Sequence, residues 1–471
     1  MSRYEWEADY PLVWDRRGDR EAVMAFAEEY KLFLDQCKTE REAADRAAAM
    51  ARDAGFCNMD LFPPSGGTLK PGERLYTLRQ NKVAALFVLG RKPLTEGMRI
   101  ICAHLDSPRL DLRPDPLYEA GDLALMKTHY YGGVKKYQWA ALPLALHGVI
   151  VKKGGQRVTI SIGEEETDPV VYISDLPKHL SAQQSRQTMA EGIGGEDLNI
   201  LVGSIPLEGE EREPARRYIL KLLYQKYGVT EKDLTSAELE IVPAGRARDG
   251  GLDRSMVVAY GQDDRVCAYT ALQAILRTQV PEHTSLLLLV DKEEVGSQGA
   301  TGMKSRLMEN LTAQLLELAG TYSSQALRQT LERSYFISAD VALAYDPSHP
   351  EVFEKKNAAR LGRGPVLVKY AGHLGKKDCN DASAEFLALL REVLDTAGVC
   401  WQVGEFGKID LGGGGTIAPF AAAYGMQVVD CGVLLLSMHA PYELSSKADI
   451  YETYRAYAAF YDTAAEIGDY M

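Results

Sequence analysis

Apolar positions recur along the chain with two different periods. Over residues 19–36, Val23, Phe26, Ala27, Tyr30, Phe33 and Leu34 fall at helical spacing, which predicts an amphipathic helix. Thr39-Glu40-Arg41-Glu42 has the form of a capping box and opens a second, alanine-rich helix, for which Gly55 is a natural stop. Pro63-Pro64-Ser65-Gly66-Gly67 reads as a loop. Short, mostly apolar runs predict strands at 83–89, 100–103, 255–260, 286–290, 335–339, 366–370 and 433–436, with 399–403 also extended. Helical patterns cover 266–276, 382–396 and 450–467, the second stopping at Gly398. Strands alternating with helices predict an α/β fold: a three-layer sandwich with a largely parallel central sheet covered on both faces.

The pattern changes between 114 and 243. Short β-like runs at 148–151, 157–162 and 170–173 alternate with charged turns such as Glu164-Glu165-Glu166. Residues 181–197 read as a polar, mobile loop and 216–227 as a helix, and ligand-type motifs are sparse. This predicts an inserted, β-rich second domain over 115–245, flanked by a first domain built from 1–114 and 246–471.

Composition narrows the class. The length of 471 residues suits one large domain plus an insertion. Net charge is −13 and spread along the chain, which argues against nucleic acid as a partner. Seven scattered cysteines without a CxxC pair argue against a disulfide framework. Met-Ser-Arg-Tyr-Glu-Trp-Glu lacks the apolar core of a signal peptide, and no apolar run approaches the ~18 residues of a membrane span. The expectation is a soluble, cytoplasmic protein without a membrane partner.

The chemistry gathers at strand ends. Two adjacent glutamates, Glu293 and Glu294, follow the apolar run 286–290, and like charges so close to a buried strand call for a positive partner. His104, Asp340 and His439 likewise follow apolar runs, and Asp263 and Asp264 stand between a strand and a helix. Sites in open α/β sheets lie at the carboxyl ends of strands. Two imidazoles, several carboxylates and no thiolate suit zinc, manganese or cobalt. The number of carboxylates points to two ions ~3.5–4 Å apart, the arrangement of hydrolytic two-metal chemistry. One of the two glutamates would ligate and the other act as general base on metal-activated water. His104 and Asp106 are two apart on extended backbone and share a face, so Asp106 either receives the second imidazole N–H or caps a turn.

Ala103-His104-Leu105-Asp106-Ser107-Pro108, Asp263-Asp264, Glu293-Glu294-Val295-Gly296, Ser338-Ala339-Asp340 and Ser437-Met438-His439 resemble, in order and spacing, the M18 family of metalloaminopeptidases. The resemblance runs over nearly the whole chain, the insertion included. It implies a zinc-exopeptidase type of catalytic domain that releases the N-terminal residue of peptides. It implies one metal on His104, Asp263 and Asp340, and a second on Asp263, Glu294 and His439, with Asp263 bridging. Glu293 would be the general base and Asp106 would orient His104. The insertion would be a dimerisation domain, and the assembly a homododecamer built from dimers. His179 stands where such a domain offers a histidine to the neighbouring active site. The chain departs from the aspartyl branch at 131–139, where Trp-Phe-Asp-Arg-Asp is absent, so an acidic preference does not follow. Lys369 is a candidate partner for an acidic substrate side chain. Two alternatives are a metal-dependent deacylase or amidohydrolase of the same fold, and a nucleotide-binding or assembly protein. For the latter, Gly412-Gly413-Gly414-Gly415 is the one phosphate-loop-like feature, and it lacks GxxxxGK[ST].

Overall fold

The amphipathic stripe near the N-terminus packs as a helix, as its spacing predicts. The computed structural model describes residues 10–61, 69–372 and 374–470, so the predicted loop at 63–67 lies outside the described residues. After a short α1 (Val13–Arg16), α2 (Arg20–Gln36) buries the six apolar residues of the stripe. The capping box closes at the start of α3 (Glu40–Asp53): the Thr39 side chain accepts from Glu42 N–H, and the Glu42 carboxylate accepts from Thr39 N–H. Strands β1 (Cys57–Asn58), β2 (Arg74–Arg79), β3 (Val83–Val88) and β4 (Arg99–His104) follow.

The inserted region is a closed barrel. Its strands are β5 (Arg109–Ala120), β6 (Leu123–Tyr131), β7 (Pro143–Val151), β8 (Arg157–Ile162), β9 (Val171–Tyr172), β10 (Ile200–Gly203) and β11 (Ala237–Pro243), with α4 (Pro214–Tyr227) between the last two. The order β11-β5-β6-β10-β9-β7 returns to β11, and β8 pairs with β7 on the edge opposite β11, beyond the short pairing of β9. Closure pairs backbone edges that would otherwise be exposed. The interior is filled by Leu110, Met126, Trp139, Ile160, Ile200 and Ile241. The barrel begins at Arg109, so a division at 114 falls inside β5.

The chain then returns through β12 (Arg248–Gly250), β13 (Met256–Ala259), α5 (Gln262–Arg277), β14 (Ser285–Val290), α6 (Leu307–Leu318), α7 (Ser324–Glu332), β15 (Tyr335–Ser338) and β16 (Ala342–Leu343). It ends with β17 (Val366–Val368), α8 (Ala384–Thr396), β18 (Gln402–Val403), α9 (Ala418–Ala422), β19 (Gln427–Gly432), β20 (Leu434–Leu436), β21 (Glu443–Ser446) and α10 (Lys447–Asp462). A nine-stranded mixed sheet runs β1-β2-β3-β14-β4-β15-β19-β17-β18. Its central strands β14, β4, β15 and β19 are mutually parallel, while β3 and β17 pair antiparallel with them.

Alternate residues of the central strands enter two separate cores. Ile101, Ala103, Leu287, Leu289 and Ile337 pack with residues of α2, α3, α5, α8 and α10. Ile100, Cys102, Leu286, Leu288 and Phe336 pack with residues of α6, α7 and α9. Burial on both faces is why 286–290 is apolar without alternation, each leucine contributing roughly 1.5–3 kcal/mol. A third sheet, β12-β13-β21-β20-β16, links the segment before α5 to those just beyond β15 and β19.

Two boundaries differ from the apolar pattern. The extended run at 399–403 pairs only as Gln402–Val403. The C-terminal helix covers Lys447–Asp462 rather than 450–467. Lys447 is buried there, with its ammonium 2.8 Å from Asp249, so a charged residue occupies an inward position.

Candidate metal centre

Strand register brings the ligand-type residues together. Val290 of β14 is level with His104 of β4, and Leu105 N–H donates to Val290 O at 2.8 Å, so the 291–296 turn rises beside His104. On the other side, Ala339 N–H donates to Cys102 O at 2.8 Å, which places Asp340 one residue beyond. Asp263 lies in the first turn of α5, and His439 follows β20. Parallel strands ending level with one another make a crevice at their carboxyl ends.

One carboxylate faces both histidines. Asp263 Oδ1 is 3.3 Å from His104 Nε2, and Asp263 Oδ2 is 3.2 Å from His439 Nε2. Asp340 Oδ1 stands 3.8 Å from His104 Nε2, and Glu294 Oε2 stands 3.4 Å from His439 Nε2. Two groups of donor atoms result, each within 4.8 Å: His104, Asp263 and Asp340, and Asp263, Glu294 and His439. Glu293 belongs to neither group, and its Oε2 lies 3.9 Å from His104 Nε2.

The electrostatics call for positive charge. Burial raises the Glu294 carboxyl well above its usual range, and the neighbouring Asp263 adds to this. Burial, then repulsion from Asp340 and Asp106, pushes Glu293 up to about 8. Burial opposes charge on His439, but its hydrogen bond to Asp263 and the charges of Glu294, Asp263 and Glu443 together prevail and lift it to about 10. Asp263 Oδ1 and Glu294 Oε1 are buried and have no hydrogen-bond partner among the described residues. Orphaned carboxylate oxygens are costly unless an ion takes them, so the donor set fits hard or borderline divalent cations.

Asp106 lies against both His104 and the Glu293–Glu294 turn. The His104 Nδ1 bonds the Asp106 main-chain oxygen at 2.9 Å, with the carboxylate Oδ1 at 3.4 Å. The same carboxylate accepts the N–H groups of Glu293 and Glu294, each at 3.2 Å, and so caps their turn. Tyr131, at the end of barrel strand β6, donates its hydroxyl to Asp106 Oδ2 at 2.7 Å.

The amino-acid sequence as a whole agrees with this geometry. A family model described as Aminopeptidase I zinc metalloprotease (M18) matches residues 33–461. The chain belongs to the M18 aminopeptidases. A Clostridium acetobutylicum protein named probable M18 family aminopeptidase 1 is 51% identical over 455 residues, covering 96% of this chain and 98% of that one. The crystal structure of an M18 family aminopeptidase from Thermotoga maritima is similar at TM-score 0.92 and 43% identity, over 97% of this chain and 100% of that one. That of aminopeptidase I from Clostridium acetobutylicum is similar at TM-score 0.91 and 47% identity, over 97% of this chain and 100% of that one. This M18 chain is thus a metal-dependent aminopeptidase with a mixed α/β fold, and the deacylase alternative is not favoured. No helix among the described residues is long and apolar enough to cross a membrane.

Beside the ligand cluster lies a cavity of about 380 Å³. Val341, Ala371, Phe406, Gly413, Gly414, Gly415, Thr416 and Met438 line it together with Asp263, Glu293, Glu294, Asp340 and His439. Three of the four consecutive glycines, Gly413, Gly414 and Gly415, therefore supply backbone wall to this cavity. Lys369 and His179 are exposed and do not line it.

Sequence reasoning missed three contributors. Glu443 accepts hydrogen bonds from the backbone of Asp263 and of His439. Tyr131 braces Asp106, and Gly132-Gly133 bring the barrel against the cluster. A Cβ on Gly133 would lie 2.9 Å from His439 Nδ1, and one on Gly132 would lie 3.3 Å from Glu294 Cβ. No local pattern separates Glu443 from a solvated glutamate, whereas adjacent glycines after a strand are a signal of close backbone approach.

Proposed function

We propose that this M18 aminopeptidase uses two divalent ions, most simply zinc with manganese or cobalt also suited, and that Glu293 is its general base. His104, Asp263 and Asp340 would hold one ion, and Asp263, Glu294 and His439 the other. The carrying observation is the Asp263 carboxylate, which turns one oxygen to each histidine. Ions bound there would supply Lewis-acid polarisation of the scissile carbonyl and lower the pKa of the attacking water. Glu293 is free of both ligand groups and lines the cavity, so it can take the proton of that water and pass it to the leaving amine. Asp106 fixes the backbone of Glu293 and Glu294 together, which holds base and ligand in one geometry.

The cavity wall supports a neutral, apolar N-terminal residue as the substrate class. Among the described lining residues none is lysine or arginine. An acidic side chain would find no lysine or arginine among those residues, Lys369 lying outside the lining.

The test is Glu293→Gln assayed on leucyl and aspartyl arylamides with metal content measured in parallel. Metal content should stay at the wild-type level while kcat falls by about 10²–10⁴-fold. His439→Ala should instead lose metal. Wild-type turnover by Glu293→Gln would show that another group is the base.

We read the architecture as a three-layer sandwich carrying the barrel as a dimerisation module, with self-association to a homododecamer. Leu176, Leu180, Met189, Ile205 and Tyr224 expose apolar surface within the inserted region, which supports burial against another copy. His179 lies between the first two and would be the residue this surface offers to a neighbouring active site. Sedimentation velocity of Leu180→Asp should show smaller particles than wild type, and a monomeric wild type would refute the reading.

A further inference from the structure

We propose that Glu443, which belongs to neither ligand group, is a positioning residue for the Asp263–Glu294–His439 half of the centre. Its two carboxylate oxygens are divided between two ligands. Oε2 accepts Asp263 N–H at 3.0 Å, and Oε1 accepts His439 N–H at 2.8 Å. Asp263 stands where the backbone departs from helical φ/ψ at the start of α5, a helix with no side-chain cap of its own, so its N–H needs an acceptor from outside the helix. His439 has φ +65, in the left-handed region that residues other than glycine rarely adopt. An acceptor fixed opposite its N–H holds it there. Ser107 Oγ also donates to the Asp263 main-chain oxygen at 2.5 Å, so Glu443 completes the fixing of one ligand at a helix end and holds the other on a strained loop.

The carboxylate itself is firmly mounted. Glu443 is 1% exposed and starts β21, where it is paired with Ala259 of β13. Its main-chain oxygen accepts from Gln262 Nε2 at 2.7 Å. A buried carboxyl group held by strand pairing on one side and by two backbone amides on the other is a rigid reference point between remote segments. Supporting groups of this kind typically change metal affinity 10–100-fold when altered.

The inference rests on the two-ion reading and is tested so that the two fail differently. The full chain, stripped with a chelator, is titrated calorimetrically with zinc ion as wild type, His439→Ala and Glu443→Gln. Gln keeps the size of Glu but offers one acceptor oxygen, so one of the two backbone amides loses its partner. His439→Ala should abolish one binding step. Glu443→Gln should weaken that same step 10–100-fold and leave the other within about threefold. High zinc should then restore kcat in Glu443→Gln but not in His439→Ala. Equal affinities in Glu443→Gln and wild type overturn the proposal while the two-ion reading stands. So does an equal weakening of both steps with a matching loss of thermal stability in the metal-free protein, which is what a merely structural role predicts. If His439→Ala removes no step, the two-ion reading fails and the inference with it. Glu443→Asp, which keeps the carboxyl group on a shorter side chain, serves should Glu443→Gln not fold, and the same selective weakening is expected.

Discussion

Tyr131→Phe removes one hydrogen bond and almost nothing else. The Tyr131 ring lies over the Arg109 guanidinium at 3.9 Å, a contact that phenylalanine retains. The hydroxyl donates to Asp106 Oδ2 at 2.7 Å, shorter than the two 3.2 Å bonds that Asp106 accepts from Glu293 and Glu294. Asp106 is fully buried, so water cannot replace the lost donor without rearrangement. A hydrogen bond to a charged group contributes about 1.5–3 kcal/mol. If that is lost from the alignment of the Glu293–Glu294 turn, kcat falls by about 10- to 150-fold. The assay is steady-state hydrolysis of a leucyl arylamide, with elemental analysis and near-ultraviolet circular dichroism on the same samples. We expect reduced kcat, KM within about twofold, and unchanged metal content and fold. A folded variant with wild-type kcat would show that the turn amides hold Asp106 unaided and that the barrel does not brace the catalytic turn.

Two further outcomes follow from the contact between barrel and catalytic domain. Gly133→Ala places a methyl group 2.9 Å from His439 Nδ1, so His439 must move. Zinc affinity should fall by about 10-fold or more with little change in thermal stability, and unaltered affinity would show that the loop yields instead. His147 of β7 is buried between Glu42 at 2.9 Å and Glu164 at 3.1 Å. Burial opposes its charge, but the hydrogen bonds to both carboxylates prevail and raise it from 6.5 to about 9. The folded value lies above the unfolded one, so this stabilisation is complete below about pH 6.5 and lost as pH rises through about 9. His147→Asn should therefore lower stability most at pH 6, by at most roughly 3 kcal/mol, and differ little from wild type near pH 10. Denaturant unfolding at both values checks this, and a difference independent of pH would remove the ion pairs as its cause.

The parts of the fold that were legible are those set by neighbours in the chain. The capping box at Thr39 is a contact between residues three apart, and it forms as its motif implies. The apolar run 286–290 is buried without alternation because its alternate residues enter two separate cores. Strand β5 was illegible for the opposite reason. Its opening, Arg109-Leu110-Asp111-Leu112-Arg113-Pro114, is broken by charges and a proline and falls outside the short apolar runs that predict strands. The structure buries Arg109 against Glu240 at 3.1 Å and Glu40 at 3.5 Å, partners supplied by other segments. Lys447 hid the start of the last helix in the same way, through Asp249.

The sequence by itself determined which side chains stand at strand ends and in what order: His104, Asp263, Glu293, Glu294, Asp340 and His439. Runs of buried strand end where polar residues begin, so such positions are marked by local hydrophobicity alone. Only the tertiary structure decided how they meet. Register between β14, β4 and β15 sets His104 beside Glu293 and Asp340, and the third sheet carries His439 to Asp263. It also decided that Glu443 and Tyr131 belong to this centre, and that the insertion closes into a barrel through β11 and β7. Hydrogen bonds and charge pairs between remote segments depend on distances of a few ångströms, which are set by strand pairing and packing and leave no period in the chain.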